Sequence, residues 1–211
     1  TVFSPAFSAA EAVTLPFLAS RGVREVDVLM LSHDDADNVG AWPAFVDRIP
    51  VRRLLAGQPE RLTPMAEPCR RGASWTWDEV RFELLHPAAA VSGGEHDNDR
   101  SCVLRIVHPA ASFLVTGDIT RRVEARLARL DPAALRADFV VIPHHGSRSS
   151  SSRALIGASR AGFALVSAGY RNRYGFPATE VVRRWRLADA EVIDTARAGA
   201  VIISVPPQGE G

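Results

Sequence analysis

The stretch "LSHDDADNVG", residues 31–40, decides how this chain is read. It follows an apolar run and packs His33, Asp35, Asp37 and Asn38 into six positions. In an extended loop alternate residues fall on one side, so His33, Asp35 and Asp37 offer an imidazole and two carboxylates to one point. Mixed nitrogen and oxygen ligation suits Zn²⁺ and also harder ions such as Mn²⁺. Asn38 breaks the pattern, because a metal site would want a histidine there. The same run also suits a solvated acidic turn capping the next helix, where Asp and Asn accept hydrogen bonds from free backbone N–H groups.

Outward from this stretch, short apolar runs recur and end in turn signals. "VDVLMLS" (26–32) reads as a buried strand ending at His33. "AWPAFVDRI" (41–49) reads as the following helix, with Pro43 in its first turn, and "VRRLLAG" (51–57) as the next strand. "WTWDEVRFELLHP" (75–87) predicts a hairpin turning at Asp78 and Glu79, and "CVLRIVHPAASFLVTGD" (102–118) a second around "HPAA". "TRRVEARLARL" (120–130) has helical spacing with Thr120 at the N-cap. "ADFVVIPHHGS" (137–147) is a strand ending at a histidine pair. "FALVSAG" (163–169), the helix "TEVVRRWRLA" (179–188), "AEVID" and the strand "AVIISV" complete the alternation. The segment 58–74, with three prolines, reads as an insertion or lid. The pattern predicts one α/β domain over residues 1–211. Four strands end at polar groups, His33, His86, Asp118 and His144, and strand ends on one rim can converge on a shared site.

Composition sets limits. The 211 residues are 46% hydrophobic and 23% charged, as in ordinary globular proteins, and the net charge of +1 gives no global pull toward nucleic acid. No apolar run approaches the roughly 20 residues that span a bilayer. The chain opens on Thr1, which suggests a piece of a longer protein. Cys69 and Cys102 lack paired CxxC spacing, so a thiolate zinc centre is set aside. Two buried free thiols are the simpler reading, and a single bridge, which needs an oxidising compartment, is the alternative.

Three further motifs carry chemistry. "FLVTGDI" places Asp118 after an apolar strand and a glycine, where a carboxylate can bridge two ions. "VVIPHHGSRSSSS" sets His144 and His145 after a buried strand. One imidazole suits a metal and the other a water or a phosphate. Gly146 permits close approach, and Ser147, Arg148, Ser150 and the remaining serines suit phosphate oxygens. "GYRNRYGFP" interleaves Arg171, Asn172 and Arg173 with Tyr170 and Tyr174, a mixture suited to a nucleic-acid backbone or an unstacked base, and equally to a solvated loop. His86 and His108 each precede a proline and read as surface turn residues.

In the order "LSHDDADNVG", "NDRSCVLRI", "FLVTGDI", "VVIPHHGSRSSSS", "ALVSAGYRNRYGFP", these motifs resemble the metallo-β-lactamase-like domain of ComEC-type DNA-uptake proteins, from about residue 20 to 205. The resemblance implies an αββα sandwich with a two-metal site between the sheets. It also implies a companion membrane channel domain and an OB-fold domain in the same polypeptide, with this domain at the bacterial inner membrane on its extracytoplasmic side. The family run "SHxDxDH" maps onto His33, Asp35 and Asp37, its "GD" carboxylate onto Asp118, its "HHGS" histidines onto His144 and His145, and its "N-x-x-S" element onto Asn98 and Ser101. Three departures accompany the match. Asn38 replaces the final histidine of the run, the later "GHPH" element reads "GFPA" with Phe176 in place of a ligand, and the family's opening strands would lie before Thr1.

Two readings follow. In the first the chain is a metal-dependent nuclease that degrades the strand not taken up. It would use one or two Mn²⁺ or Zn²⁺ ions, the carboxylates leaning toward Mn²⁺, with Asp37 placing the ion and His145 assisting proton transfer. No tight small-molecule cofactor is expected. In the second, Asn38 and Phe176 leave the site impaired, and the domain guides DNA or buttresses the channel without cutting.

Overall fold

A computed structural model describes residues 2–4, 7–35, 42–62, 66–88 and 97–206. The chain begins with a small antiparallel hairpin, β1 (Val2–Ser4) and β2 (Phe7–Ser8). A helical turn at Ala10–Thr14 leads into α1 (Leu15–Ser20). Three parallel strands follow in the order β3 (Val26–Leu31), β4 (Val51–Ala56) and β5 (Glu67–Pro68), with α2 (Trp42–Val46) between the first two. Phe45 and Ile49 pack with Leu15, Leu18 and Leu29, so α1 and α2 cover this small sheet.

A seven-stranded sheet forms the second layer. Its antiparallel half is β6 (Ser74–Trp77), β7 (Val80–His86), β8 (Val103–His108) and β9 (Ala111–Val115). From β9 the sheet turns parallel through β10 (Phe139–Val141), β11 (Phe163–Val166) and β12 (Glu191–Asp194). Both predicted hairpins form. Asp78 and Glu79 take φ of 44° and 66°, the left-handed pair that a two-residue turn between twisted strands needs. The parallel half is covered by α3 (Arg121–Leu130), α4 (Arg153–Ser159) and α5 (Thr179–Arg186), and α6 (Thr195–Ala198) is the last regular element among the described residues.

The two sheets meet where Val28, Met30 and Leu55 of the small sheet pack with Leu84, Leu104 and Trp75 of the large one, around Cys69 and Cys102. The main core lies on the other side, where Val140, Leu114 and Ala164 from alternate strand positions pack against Leu127, Leu155 and Trp185 of the helices. The layers are therefore helix, sheet, sheet, helix, the αββα order expected. Among the described residues no helix is long and apolar enough to cross a membrane.

Three expectations need correction. Residues 201–206 form no strand ladder among the described residues, because β-branched composition favours extended backbone but cannot supply a partner edge. The 58–74 segment is stitched into the fold over its described part: β5 pairs with β4, and Cys69 is bonded to Cys102. The simpler reading of two free thiols is thus replaced by the bridge, with Cα atoms 5.8 Å apart. Pro68 is tolerated because β5 is an edge strand, where its missing N–H costs no ladder bond.

Candidate metal centre

His33 leaves β3 and turns inward, where it is 3% exposed. Its Nδ1 lies 2.8 Å from Ser32 Oγ, so Nε2 is the nitrogen that faces the carboxylates. Asp118 arrives from β9 through Gly117, whose φ of +55° turns the chain sharply. A Cβ on Gly117 would sit 2.8 Å from Ser101 Cβ and 3.2 Å from Ser32 Cβ, so only glycine fits without displacement. The Asp118 N–H donates to Ser101 Oγ at 3.0 Å, which fixes the carboxylate's base and gives buried Ser101 its role.

The histidine pair follows β10 in an unusual backbone. His144 and His145 both adopt left-handed dihedrals, with φ of 52° and 53°. Such residues cost about 1–3 kcal/mol each and persist where the surroundings impose them. The His144 N–H donates to Gly117 O at 3.1 Å, tying this turn to the Asp118 turn. His145 Nδ1 donates to Ser167 O at 2.7 Å, which leaves the lone pair of the neutral ring on Nε2. His144 Nδ1 lies 3.2 Å from Ser149 Oγ, with Asn98 Nδ2 a looser neighbour at 3.4 Å.

These turns bring distant parts of the chain together. Asp118 Oδ2 is 3.7 Å from His33 Nε2, 3.8 Å from His144 Nε2 and 3.6 Å from His145 Nε2, and Asp35 Oδ2 is 3.5 Å from His33 Nε2. Direct hydrogen bonds would be about 2.7–3.2 Å. Adjacent donors around a tetrahedral cation with bonds near 2.1 Å are roughly 3.4 Å apart. The chemistry and spacing of the donors suit a cation. Among the described residues, however, no three of them already close on one point at coordination distance, so the cluster is open. Asp37 and Asn38 lie outside the described residues.

Phe176 stands at the position where the resembled family carries a ligand. Its ring packs 5.8 Å from that of His144 and 6.3 Å from that of His145, a wall rather than a donor. Other sequence-predicted residues divide. Arg148 is on the surface, 3.6 Å from Glu180, and Ser147 Oγ bonds Ser149 Oγ at 3.0 Å. Ser150, expected to contact DNA, is fully buried with its hydroxyl donated to Pro143 O and Ser147 O, so it cannot reach a strand. Asn172 braces its own loop, accepting the Phe176 N–H at 2.9 Å and donating to Phe176 O at 2.7 Å.

Sequence reading missed the braces around the cluster. Gln58, 1% exposed, accepts the Asp34 N–H and donates to Asp97 Oδ1, both at 2.9 Å, while Arg61 bridges the Asp34 and Asp97 carboxylates. The ligand-bearing loop is thus clasped to the segment carrying Asn98. His86, read as a surface residue, is buried; its Nε2 donates to Asp99 O at 2.7 Å, and Asp99 Oδ1 accepts from Thr120 Oγ1 at 2.6 Å. Thr120 therefore spends its hydroxyl on Asp99 and makes no side-chain cap. A histidine directly before a proline carries no signal of that burial.

The metallo-β-lactamase superfamily model matches residues 1–169. Competence protein ComA of Neisseria gonorrhoeae is 38% identical over 92% of this chain and 27% of its own length. Recombination protein 2 of Haemophilus influenzae is 30% identical over 93% of this chain and 24% of its own. The chain thus spans about a quarter of these relatives. Among solved structures, the metallo-β-lactamase fold protein YhfI of Bacillus subtilis aligns over 89% of this chain and 80% of its own with a TM-score of 0.54 at 12% identity, a likeness of fold. By sequence match and by architecture, the chain belongs to the metallo-β-lactamase superfamily.

Proposed function

We propose that residues 1–211 are one metal-dependent nuclease domain of a DNA-uptake protein, hydrolysing phosphodiesters of the strand that is not transported. The observation that carries this reading is the approach of three imidazole Nε2 atoms to within 3.6–3.8 Å of one Asp118 oxygen. Likeness to a competence protein over most of the chain supports the DNA substrate. His33, Asp35, Asp118 and His144 would hold the ion, with Asp37 completing the set, and Mn²⁺ suits the carboxylates better than Zn²⁺. A divalent ion bound by these residues would supply Lewis acidity toward a phosphoryl oxygen and a nearby water.

The chain's own residues do the rest. Asp118, fixed through Ser101, orients the cluster. His145, locked by Ser167, presents a lone pair able to take a proton from an attacking water. Arg148, Arg171 and Arg173 supply positive charge for the strand, and Ser147 a hydroxyl. The Cys69–Cys102 bond fits an oxidising compartment, hence the extracytoplasmic side of the inner membrane, beside the channel and OB-fold domains of the same polypeptide.

The test measures metal content and cleavage of labelled DNA with added Mn²⁺. Asp118→Asn should lower both by about 100-fold or more. Intact DNA after incubation with fully metal-loaded protein would end the nuclease reading. Phe176 at a ligand position favours a second reading, a DNA-guiding module that does not cut. A Phe176→His variant that gains both metal and cleavage over an inert parent would establish that module.

A further inference from the structure

Phe176 does more than close off a ligand position. His145, Phe176 and Tyr174 form a run of near-parallel rings, with centroids 6.3 Å apart at 20° and 5.5 Å apart at 19°. The inner end touches the candidate centre, since His145 Nε2 is 3.6 Å from Asp118 Oδ2. The outer end meets solvent, where Tyr174 is 62% exposed and neighbouring Tyr170 72%. Asn172 holds this loop in shape through its three bonds to Gly169 O, Phe176 O and the Phe176 N–H.

Each exposed tyrosine carries its own cation. The Arg171 guanidinium lies 5.3 Å from the Tyr170 centroid and that of Arg173 4.8 Å from Tyr174. Among the described residues neither arginine makes an ion pair with a carboxylate. Ring and positive charge are thus paired and pre-placed at the mouth of the cluster. A phenyl ring cannot ligate a metal, but stacked between His145 and Tyr174 it backs the exposed outer ring, whose face is of the size of a base.

We propose that Tyr174, backed by Phe176, forms a base-stacking subsite for single-stranded nucleic acid, feeding an unpaired strand to the Asp118 cluster. The incoming base takes the place of the Arg173 guanidinium on Tyr174, and the displaced cation meets the adjoining phosphate. Only an unpaired strand fits, because the faces of bases inside a duplex are covered by their neighbours. The inference rests on the DNA-hydrolysing reading for what happens next, but binding can be tested without turnover.

The experiment is fluorescence anisotropy on the 211-residue chain in EDTA, with a labelled oligothymidylate, its duplex and an abasic strand of equal length, at one fixed low salt. Wild type should prefer the oligothymidylate. Tyr174→Ala should weaken that binding about 10-fold while changing duplex affinity less than about 2-fold, and Tyr174→Phe should bind like wild type. The abasic strand should bind wild type as weakly as oligothymidylate binds Tyr174→Ala. Equal affinity for single strand and duplex, an equal loss on both, or full affinity for the abasic strand overturns the subsite. An inert protein that keeps this binding pattern would sink only the nuclease reading. A cleaving protein whose Tyr174→Ala variant binds normally would sink only the stacking inference.

Discussion

Two loops flank the histidine pair, and in the sequence they look alike: both are polar, both carry arginine, and both suit a phosphate backbone. Folding separates them. The serine run after Gly146 turns inward, and Ser150 and Ser151 are fully buried. The Ser151 and Ser152 N–H groups donate to the two oxygens of Glu124, each at 2.6 Å, while Trp185 Nε1 donates to Ser151 Oγ. The loop around residues 169–178 turns outward and leaves Tyr170 and Tyr174 in solvent. One loop's polarity satisfies the protein's own buried groups, and the other's is available to a ligand. The determining partner, Glu124, lies 27 residues from Ser151 in sequence, so nothing local in either loop announces the difference.

The largest expected effect tests whether the inward side stands apart from the outward one. The Cys69–Cys102 bond closes a 33-residue separation and lies beside the cluster, since the Cys102 N–H donates to Ser32 O next to His33. Replacing both cysteines with alanine should cost about 4 kcal/mol of stability by loop-closure entropy. Single-strand binding in EDTA, which depends on the outward loop, should stay within about 2-fold where the protein remains folded. Parallel loss of both would break the comparison.

Next comes Glu124→Ala. It strands one buried and one part-buried backbone donor, an unmet buried donor costing about 1–3 kcal/mol, so unfolding should ease by about 3 kcal/mol, read by denaturant titration. Tyr174→Ala should change stability by less than about 0.5 kcal/mol. Similar losses in the two variants would mean that the outward loop is structural after all.

How much of this was legible follows from the same contrast. Most strands were readable because apolar periodicity and turn chemistry are local, whereas the layer order was implied only by the family resemblance. The Asp78–Glu79 turn and the strand ends at His33, Asp118 and His144 all form as the sequence suggests. The convergence of His33, Asp118 and the histidine pair was readable only because each follows the end of a strand, although β3 belongs to the small sheet and β9 and β10 to the large one. The braces were not. Gln58 reaches Asp34 and Asp97, His86 reaches Asp99, and Glu124 reaches Ser151, all contacts across the fold that composition does not encode. The pairing of Cys69 with Cys102 stayed open for the same reason, because spacing alone does not say which sheets meet.

The smallest effect sharpens the inward side through pH. Burial pushes the Glu124 carboxyl above its ordinary value of 4.5, with bonds from Ser152 and Ser151 and the charge of Arg121 working the other way. A group whose folded pKa is raised binds more protons in the folded than in the unfolded state between the two values. Its contribution is therefore complete below pH 4.5 and is lost as pH rises through the folded value. In Glu124→Gln that slope should vanish. The amide leaves one donor poorly met, but that penalty is independent of pH, so it shifts the stability curve without tilting it. The difference in unfolding free energy between wild type and Glu124→Gln, followed upward from pH 4.5, isolates the carboxyl from every other titrating group. A difference that stays flat would mean the two backbone donors outweigh the desolvation, and that the serine run is held by an ordinary ionised carboxylate.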